Sequence, residues 1–156
     1  MNNPNLPKVV AILPNMRKRF GEGTMLVPSP PEIEAFIRTV PKGSVTTVSK
    51  IRKFLAKKYS VDVTCPLTTG IFVRLAAEAA EEEASTGRTK ITPYWRVVKD
   101  DGSLNPRFPG GVDRQAERLR AEGHRILPGK GKRPPRVAPG RVLAEPGQSS
   151  TFSTSR

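Results

Sequence analysis

The stretch that decides the fold is TVSKIRKFLAKKYSVDVTCPLTTGIFVRL, residues 47–75. Thr47 is suited to cap a helix. The apolar residues of that helix recur at the spacing of one helical face: Ile51, Phe54 and Leu55. Thr64 or Cys65 is predicted to cap a second helix, because Pro66 is well tolerated at the first helical position. Two helices joined by a short connection predict a helix-turn-helix unit.

Other helices are predicted on either side of this connection. Ser29 is a suitable cap, and proline follows it in the first turn. The residues expected inward on that first helix are Ile33, Phe36, Ile37 and Val40. The helix after Pro66 is predicted to end at Gly87 and to turn inward Leu67, Ile71, Leu75 and the nearby alanines. A last helix is predicted over 112–122, with Ala116 and Leu119 inward.

The segment between the last two helices is predicted to be largely extended. Residues 90–98 have the character of a buried extended segment, and 100–102 that of a turn. A loop rich in Pro and Gly follows over 104–111, and 124–127 is expected to return as a short strand. Helices followed by an extended segment and a loop predict a mostly helical α/β domain of the winged helix-turn-helix type.

Composition divides the chain into three parts. Residues 1–27 are interpreted as an N-terminal arm with one short apolar element, and 28–127 as the folded domain. Residues 128–156 carry Gly, Pro, Ser and basic side chains with few large apolar residues. Such a segment buries too little surface to offset its ordering entropy, so a flexible, disordered basic tail is predicted.

The charge balance points to a polyanionic partner. Lys and Arg number 27 against 14 Asp and Glu, which gives a net charge of +13. A domain this basic is typical of nucleic-acid binding, and the sequence has no long apolar run that would favour a membrane. One cysteine and one histidine are too few for a structural zinc site. We expect a cytoplasmic monomer, nucleoid-associated if bacterial, that needs no metal and no cofactor.

One short motif resembles a known active site. Pro93-Tyr94-Trp95-Arg96-Val97 is followed by Gly110-Gly111 and by Glu122-Gly123-His124. This ordered set resembles the signature of the O6-alkylguanine-DNA alkyltransferase family, whose motif reads Pro-Cys-His-Arg-Val. The resemblance covers roughly residues 31–126 and implies the fold of that family's C-terminal DNA-binding domain.

The two residues that would perform the family's chemistry are different here. Tyr94 stands at the position of the acceptor cysteine, and Trp95 stands at the position of its histidine partner. A phenol with a pKa of ~10 is a poor nucleophile toward an alkyl carbon, and an indole is not a base. Cys65 lies far from the motif in sequence, so the resemblance implies a protein that is not an enzyme.

A branch of this family, the alkyltransferase-like proteins, binds alkylated DNA without repairing it and marks the lesion for repair proteins. The resemblance therefore implies recognition of O6-alkylguanine-like bases in double-stranded DNA. The residues implied for the base pocket are Tyr94, Trp95, Arg96, Phe108, Gly110, Gly111 and Glu122. Glu122 corresponds to the family's buried glutamate. The alternative is a general DNA- or RNA-binding module without a functional pocket.

The helix-turn-helix supplies the candidate DNA contacts. The residues expected to bind backbone or groove are Thr47, Lys50, Lys53, Thr68, Thr69, Arg74 and Arg107. The family's arginine finger aligns with Gly70 or its neighbours, and Phe72 is a candidate apolar wedge in its place. A rival interpretation is a protein-protein adaptor that uses the acidic C-terminal half of the helix after Pro66.

Overall fold

The computed structural model of the chain describes residues 5–139. That range contains five α-helices: α1 (Arg17–Phe20), α2 (Pro30–Thr39), α3 (Val48–Lys58), α4 (Pro66–Ser85) and α5 (Gly111–Ala121). It also contains seven short strands: β1 (Lys8–Ala11), β2 (Thr24–Val27), β3 (Thr46–Thr47), β4 (Val63–Thr64), β5 (Val97–Val98), β6 (Ile126–Leu127) and β7 (Arg136–Val137). The fold is therefore mixed α/β.

The first two long helices form where the sequence predicts them. Ser29 is the N-cap of α2, although its side chain makes no capping hydrogen bond. Thr47 caps α3, and its hydroxyl accepts a hydrogen bond from the backbone N–H of Lys50 at 3.1 Å. The residues of α2 and α3 that lie in the core are Ile33, Phe36, Ile37, Ile51 and Leu55. The helical periodicity of the apolar residues is confirmed in both elements.

The predicted inner face of α4 is only partly confirmed: Ala77 and Ala80 lie in the core, as predicted for the alanines. Leu67 is 64% exposed and Ile71 is 38% exposed, so the prediction that both point inward is wrong. The buried residues of α4 are Thr69, Val73, Ala77 and Ala80. This face carries small side chains because α4 packs against α2 and α3, and small residues let helices approach closely. The helix ends at Ser85, and Gly87 adopts a left-handed conformation two residues later.

The N-terminal segment is folded onto the rest of the protein. Strand β1 pairs antiparallel with β2, and β2 pairs parallel with β4, which directly precedes α4. The segment interpreted as an arm thus contributes two strands of a three-stranded sheet. A second apolar cluster fixes it in place and contains Ile12, Met25 and Cys65. Sequence periodicity does not reveal this arrangement, because the parallel partners β2 and β4 are distant along the chain.

The beginning of the predicted disordered tail is also ordered. Strand β6 pairs antiparallel with β7, and Val137 of β7 lies in the main core. The backbone N–H of Leu104 donates to the carbonyl of Pro135 at 2.9 Å, which ties residues 128–139 to the loop before α5. One apolar residue and backbone hydrogen bonds thus order a segment of low hydrophobicity. Residues 140–156 of the predicted tail lie outside the described residues.

Strands β3 and β5 form a short parallel pair beside α3. The main core gathers side chains from α2, α3, α4, α5 and the motif segment. Within residues 5–139, no helix has the length and apolar character needed to cross a membrane.

Candidate functional site

The motif segment forms a tight turn rather than the predicted extended segment. Residues Tyr94–Arg96 adopt one turn of 3-10 helix, and only Val97–Val98 continue as a strand. The turn places Tyr94 at 0% exposure and Trp95 nearby at 8% exposure. The centroid of the Tyr94 ring lies 5.3 Å from that of Trp95 and 5.2 Å from that of Phe108, both edge to face. The three predicted pocket aromatics therefore pack on one another in the core.

The hydroxyl of Tyr94 is held by a carboxylate on α4. It donates to Oε2 of Glu81, which also accepts from Nε of Arg118 at 2.6 Å. Oε1 of Glu81 accepts from Nη2 of Arg118 at 2.9 Å and from Nη2 of Arg114 at 3.4 Å. We call this set of four residues the Glu81 cluster: Tyr94, Glu81, Arg114 and Arg118.

Electrostatics inside the Glu81 cluster keeps its charges fixed. Hydrogen bonds from Arg118 in particular lower the pKa of Glu81 to about 2, against the opposing effect of burial. Burial and the hydrogen bond to Glu81 raise the pKa of Tyr94 above its ordinary value. Tyr94 is therefore a neutral phenol at physiological pH, and Glu81 is a carboxylate.

A second ion pair joins the motif to the end of α5. Arg96 donates to both carboxylate oxygens of Glu122, and the shortest contact runs from its Nη2 to Oε2 at 2.6 Å. Nη1 of Arg96 donates to the carbonyl of Val40 at 2.7 Å. Burial raises the pKa of Glu122, but the hydrogen bonds from Arg96 outweigh it, so the pKa is lowered overall. The predicted pocket glutamate thus anchors Arg96.

Cations also cover the indole of Trp95. The guanidinium of Arg118 lies 4.7 Å from the ring centroid, and that of Arg96 lies 5.7 Å from it. Such contacts favour a fixed ring position. The Glu81 cluster and the Arg96–Glu122 pair therefore meet at Trp95.

Two glycines set the start of α5, which carries Arg114 and Arg118. Gly110 has φ of +79° and Gly111 has φ of +68°, a backbone region that residues other than glycine rarely adopt. A Cβ on Gly110 would also lie 2.6 Å from Cβ of Arg114. The predicted pocket glycines therefore shape the turn that directs the two arginines toward Glu81.

Gln115 is a site residue that the sequence did not reveal. It is fully buried, and its Nε2 donates to the carbonyls of Trp95 at 3.1 Å and Val97 at 2.9 Å. Its Oε1 accepts from the backbone N–H of Asn105 at 2.8 Å. Gln115 thus joins α5 to the motif turn and to the loop that follows it. A polar residue beside Ala116 on a predicted inner face was the available signal.

The candidate DNA-contact residues of α3 lie at its N-terminal half. Thr47 is buried and occupied as the cap, Lys50 is half-buried, and Lys53 is exposed. Lys57, one turn after Lys53, is exposed as well. Arg52 turns back, and its Nε donates to the carbonyl of Thr64 at 3.0 Å, which joins α3 to the residue before the N-cap of α4.

The candidate contacts of α4 differ in accessibility. Thr69 is fully buried, and its hydroxyl donates to the carbonyl of Cys65 at 2.6 Å. The hydroxyl of half-buried Thr68 donates to Sγ of Cys65 at 3.2 Å. Arg74 is half-buried, and its Nε lies 3.8 Å from Oε2 of Glu78. Arg107 is exposed, in the loop before α5 rather than on either helix.

The exposed large apolar side chains of α4 are two that the sequence assigned to the core. Leu67 and Ile71 are one helical turn apart and begin the exposed side of α4. Phe72, the wedge candidate, packs instead against the main core.

Comparisons of the chain with protein-family models, with curated proteins and with solved structures return no match.

Proposed function

We propose that the chain is a non-enzymatic protein that binds double-stranded DNA through a winged helix-turn-helix domain. In this proposal α4 enters a groove and α3 lies against the phosphate backbone. The supporting observation is the junction of the two helices at Thr64, where Arg52 of α3 reaches the residue before the N-cap of α4. Near this junction the exposed side chains are Lys53 and Lys57 of α3 and Leu67 in the first turn of α4.

Two observations support the absence of covalent chemistry in this proposal. Tyr94 has a raised pKa and a hydroxyl already bound to Glu81, so it is a weaker nucleophile than a free phenol. Cys65 is buried and belongs to the apolar cluster beside the N-terminal sheet, whereas Tyr94 lies in the main core. Neither residue is accessible to an alkylated base.

Burial of Tyr94 supports general duplex binding as the leading function. A base flipped out of a duplex needs an open pocket, and flipping already costs a few kcal/mol. Here the rings of Tyr94, Trp95 and Phe108 fill the space between them, and Tyr94 is 0% exposed. Opening such a pocket would break the hydrogen bond to Glu81 and expose the phenol ring.

Recognition of an O6-alkylguanine-like base is the second candidate. The convergence of the separated motif pieces favours it, because Arg96 meets Glu122 and Tyr94 meets Phe108. Under this candidate the protein would act like the alkyltransferase-like proteins that the motif resembles, and repair proteins would be its partners. A cytoplasmic monomer is proposed under both candidates.

A paired titration separates the two candidates. The full chain is titrated against two duplexes that are identical except for one O6-methylguanine, at the same salt concentration. General duplex binding predicts equal affinities. A preference of about tenfold for the lesion, which corresponds to about 1.4 kcal/mol, would support lesion recognition instead.

A further inference from the structure

The N-terminal hairpin carries a basic cluster that the helix-turn-helix does not include. Helix α1 presents three consecutive exposed cations, Arg17, Lys18 and Arg19. Residues 8–27 contain these three and Lys8 against the single acid Glu22, which gives a net charge of +3. A charge of one sign on a surface element favours a polyanionic partner.

The hairpin has a fixed position next to the start of α4. Backbone N–H of Cys65, the N-cap of α4, donates to the carbonyl of Leu26 at 2.9 Å. The carboxylate of Asp62 accepts from the backbone N–H of Thr24 at 2.9 Å and from its hydroxyl at 3.2 Å. The β2–β4 pairing and these bonds join the hairpin to the turn between α3 and α4.

A shared aromatic ring connects α1 to α3. Phe20, the last residue of α1, packs against the apolar cluster of Ile12, Met25 and Cys65. The guanidinium of Arg19 lies 4.7 Å from the Phe20 ring centroid, and that of Arg52 lies 5.5 Å from it. Two like charges therefore lie at the same ring. Burial and the nearby charge of Arg19 accordingly lower the pKa of Arg52.

The geometry points to α1 as a third phosphate-binding element, which extends the proposed duplex interface beyond the helix-turn-helix. This inference rests on the proposed function. A duplex whose groove receives the N-terminal half of α4 has its backbone beside the hairpin, because β2 is bonded to the residues that precede α4. Phosphates there would relieve the repulsion between Arg19 and Arg52.

A pair of charge-matched double variants tests the inference. The first variant is Lys18→Gln with Arg19→Gln. The control is Arg88→Gln with Lys90→Gln, which removes the same charge from exposed positions beyond the C-terminal end of α4. Helix α4 has 20 residues and is about 30 Å long, and these positions follow its C-terminal end, away from its first turn. Affinity for one plain duplex is measured over a salt series, and thermal unfolding verifies that each variant is folded.

The expected result is a change in the salt dependence of the first variant alone. The slope of log K against log salt concentration should become shallower by about 1.8, or 0.9 for each lost phosphate contact, while the control retains the parent slope. Equal slopes for the parent, the variant and the control would overturn the inference and leave duplex binding intact. Failure of the parent to bind the duplex would overturn the proposed function, and the inference with it.

Discussion

At the residue scale, Glu81 resolves an apparent conflict with helix electrostatics. A carboxylate in the C-terminal part of a helix faces the negative end of the dipole. The negative charge of Glu81 is balanced by Arg118 and Arg114 of α5, and its carboxylate also accepts a hydrogen bond from the hydroxyl of Tyr94. One acid from the acidic C-terminal half of α4 therefore joins α4 to α5 and to the motif turn, so it has a role inside the fold.

Removal of this charge should destabilise the fold. Glu81→Gln leaves Arg118 without its anionic partner, and hydrogen bonds to charged groups contribute about 1.5–3 kcal/mol each. We expect the free energy of unfolding to fall by about that amount in urea denaturation. The matched control is Glu82→Gln at an exposed position, which should change it by less than about 0.5 kcal/mol. Equal effects of the two variants would show that the Glu81 cluster does not stabilise the protein.

Acid should weaken the same cluster. The pKa of Glu81 falls from 4.5 to about 2 on folding, so the folded state binds the proton less tightly than the unfolded state. The resulting stabilisation is complete above pH 4.5 and is lost as the pH falls toward about 2. We expect the unfolding free energy of the parent to decrease more steeply across this window than that of Glu81→Gln. Parallel curves would contradict the assignment.

At the element scale, the N-terminal end of α4 exposes an apolar side chain, Leu67, which the proposal places against DNA. Leu67→Ala should leave the unfolding free energy within about 0.5 kcal/mol, because the side chain is already exposed. It should weaken duplex binding about tenfold, since burying a leucine against DNA contributes on the order of 1.5–3 kcal/mol. Val73→Ala, on the buried face, should lose stability and retain affinity. An unchanged affinity for Leu67→Ala would exclude the first turn of α4 from the interface.

Helix α3 should contribute through charge. Lys53 and Lys57 are exposed and one turn apart, so Lys53→Gln with Lys57→Gln should remove two phosphate contacts without loss of stability. The expected readout is a salt slope shallower by about 1.8, measured by anisotropy with a labelled duplex. A parent-like slope would place the DNA backbone elsewhere.

At the scale of the whole molecule, local sequence patterns predicted the elements better than their contacts. The cap at Thr47 and the inner residues of α2 and α3 follow from spacing alone. The face of α4 was only partly predicted, because Leu67 and Ile71 are more hydrophobic than Thr69 and yet lie exposed. The sheet of β1, β2 and β4 also escaped prediction, since its parallel pair joins Met25 to Val63, far apart along the chain.

The candidate site shows the same division. The motif pieces were identified in the sequence, but the partners of Tyr94 were not, since Glu81 and Arg118 lie on two other elements. Whether a pocket is open or filled depends on how side chains pack in three dimensions. The sequence predicts that residues 90–98 are buried, but no spacing rule indicates which side chains enclose the ring of Tyr94.

The most direct test of the central claim is a titration of the full chain against a plain, undamaged DNA duplex over a salt series. Duplex binding through several phosphate contacts predicts saturable binding at physiological salt and a linear fall of log K with log salt concentration. The slope should correspond to several contacts, and an O6-methylguanine in the duplex should not change it. No measurable binding at physiological salt, or binding that does not respond to salt, would contradict the account.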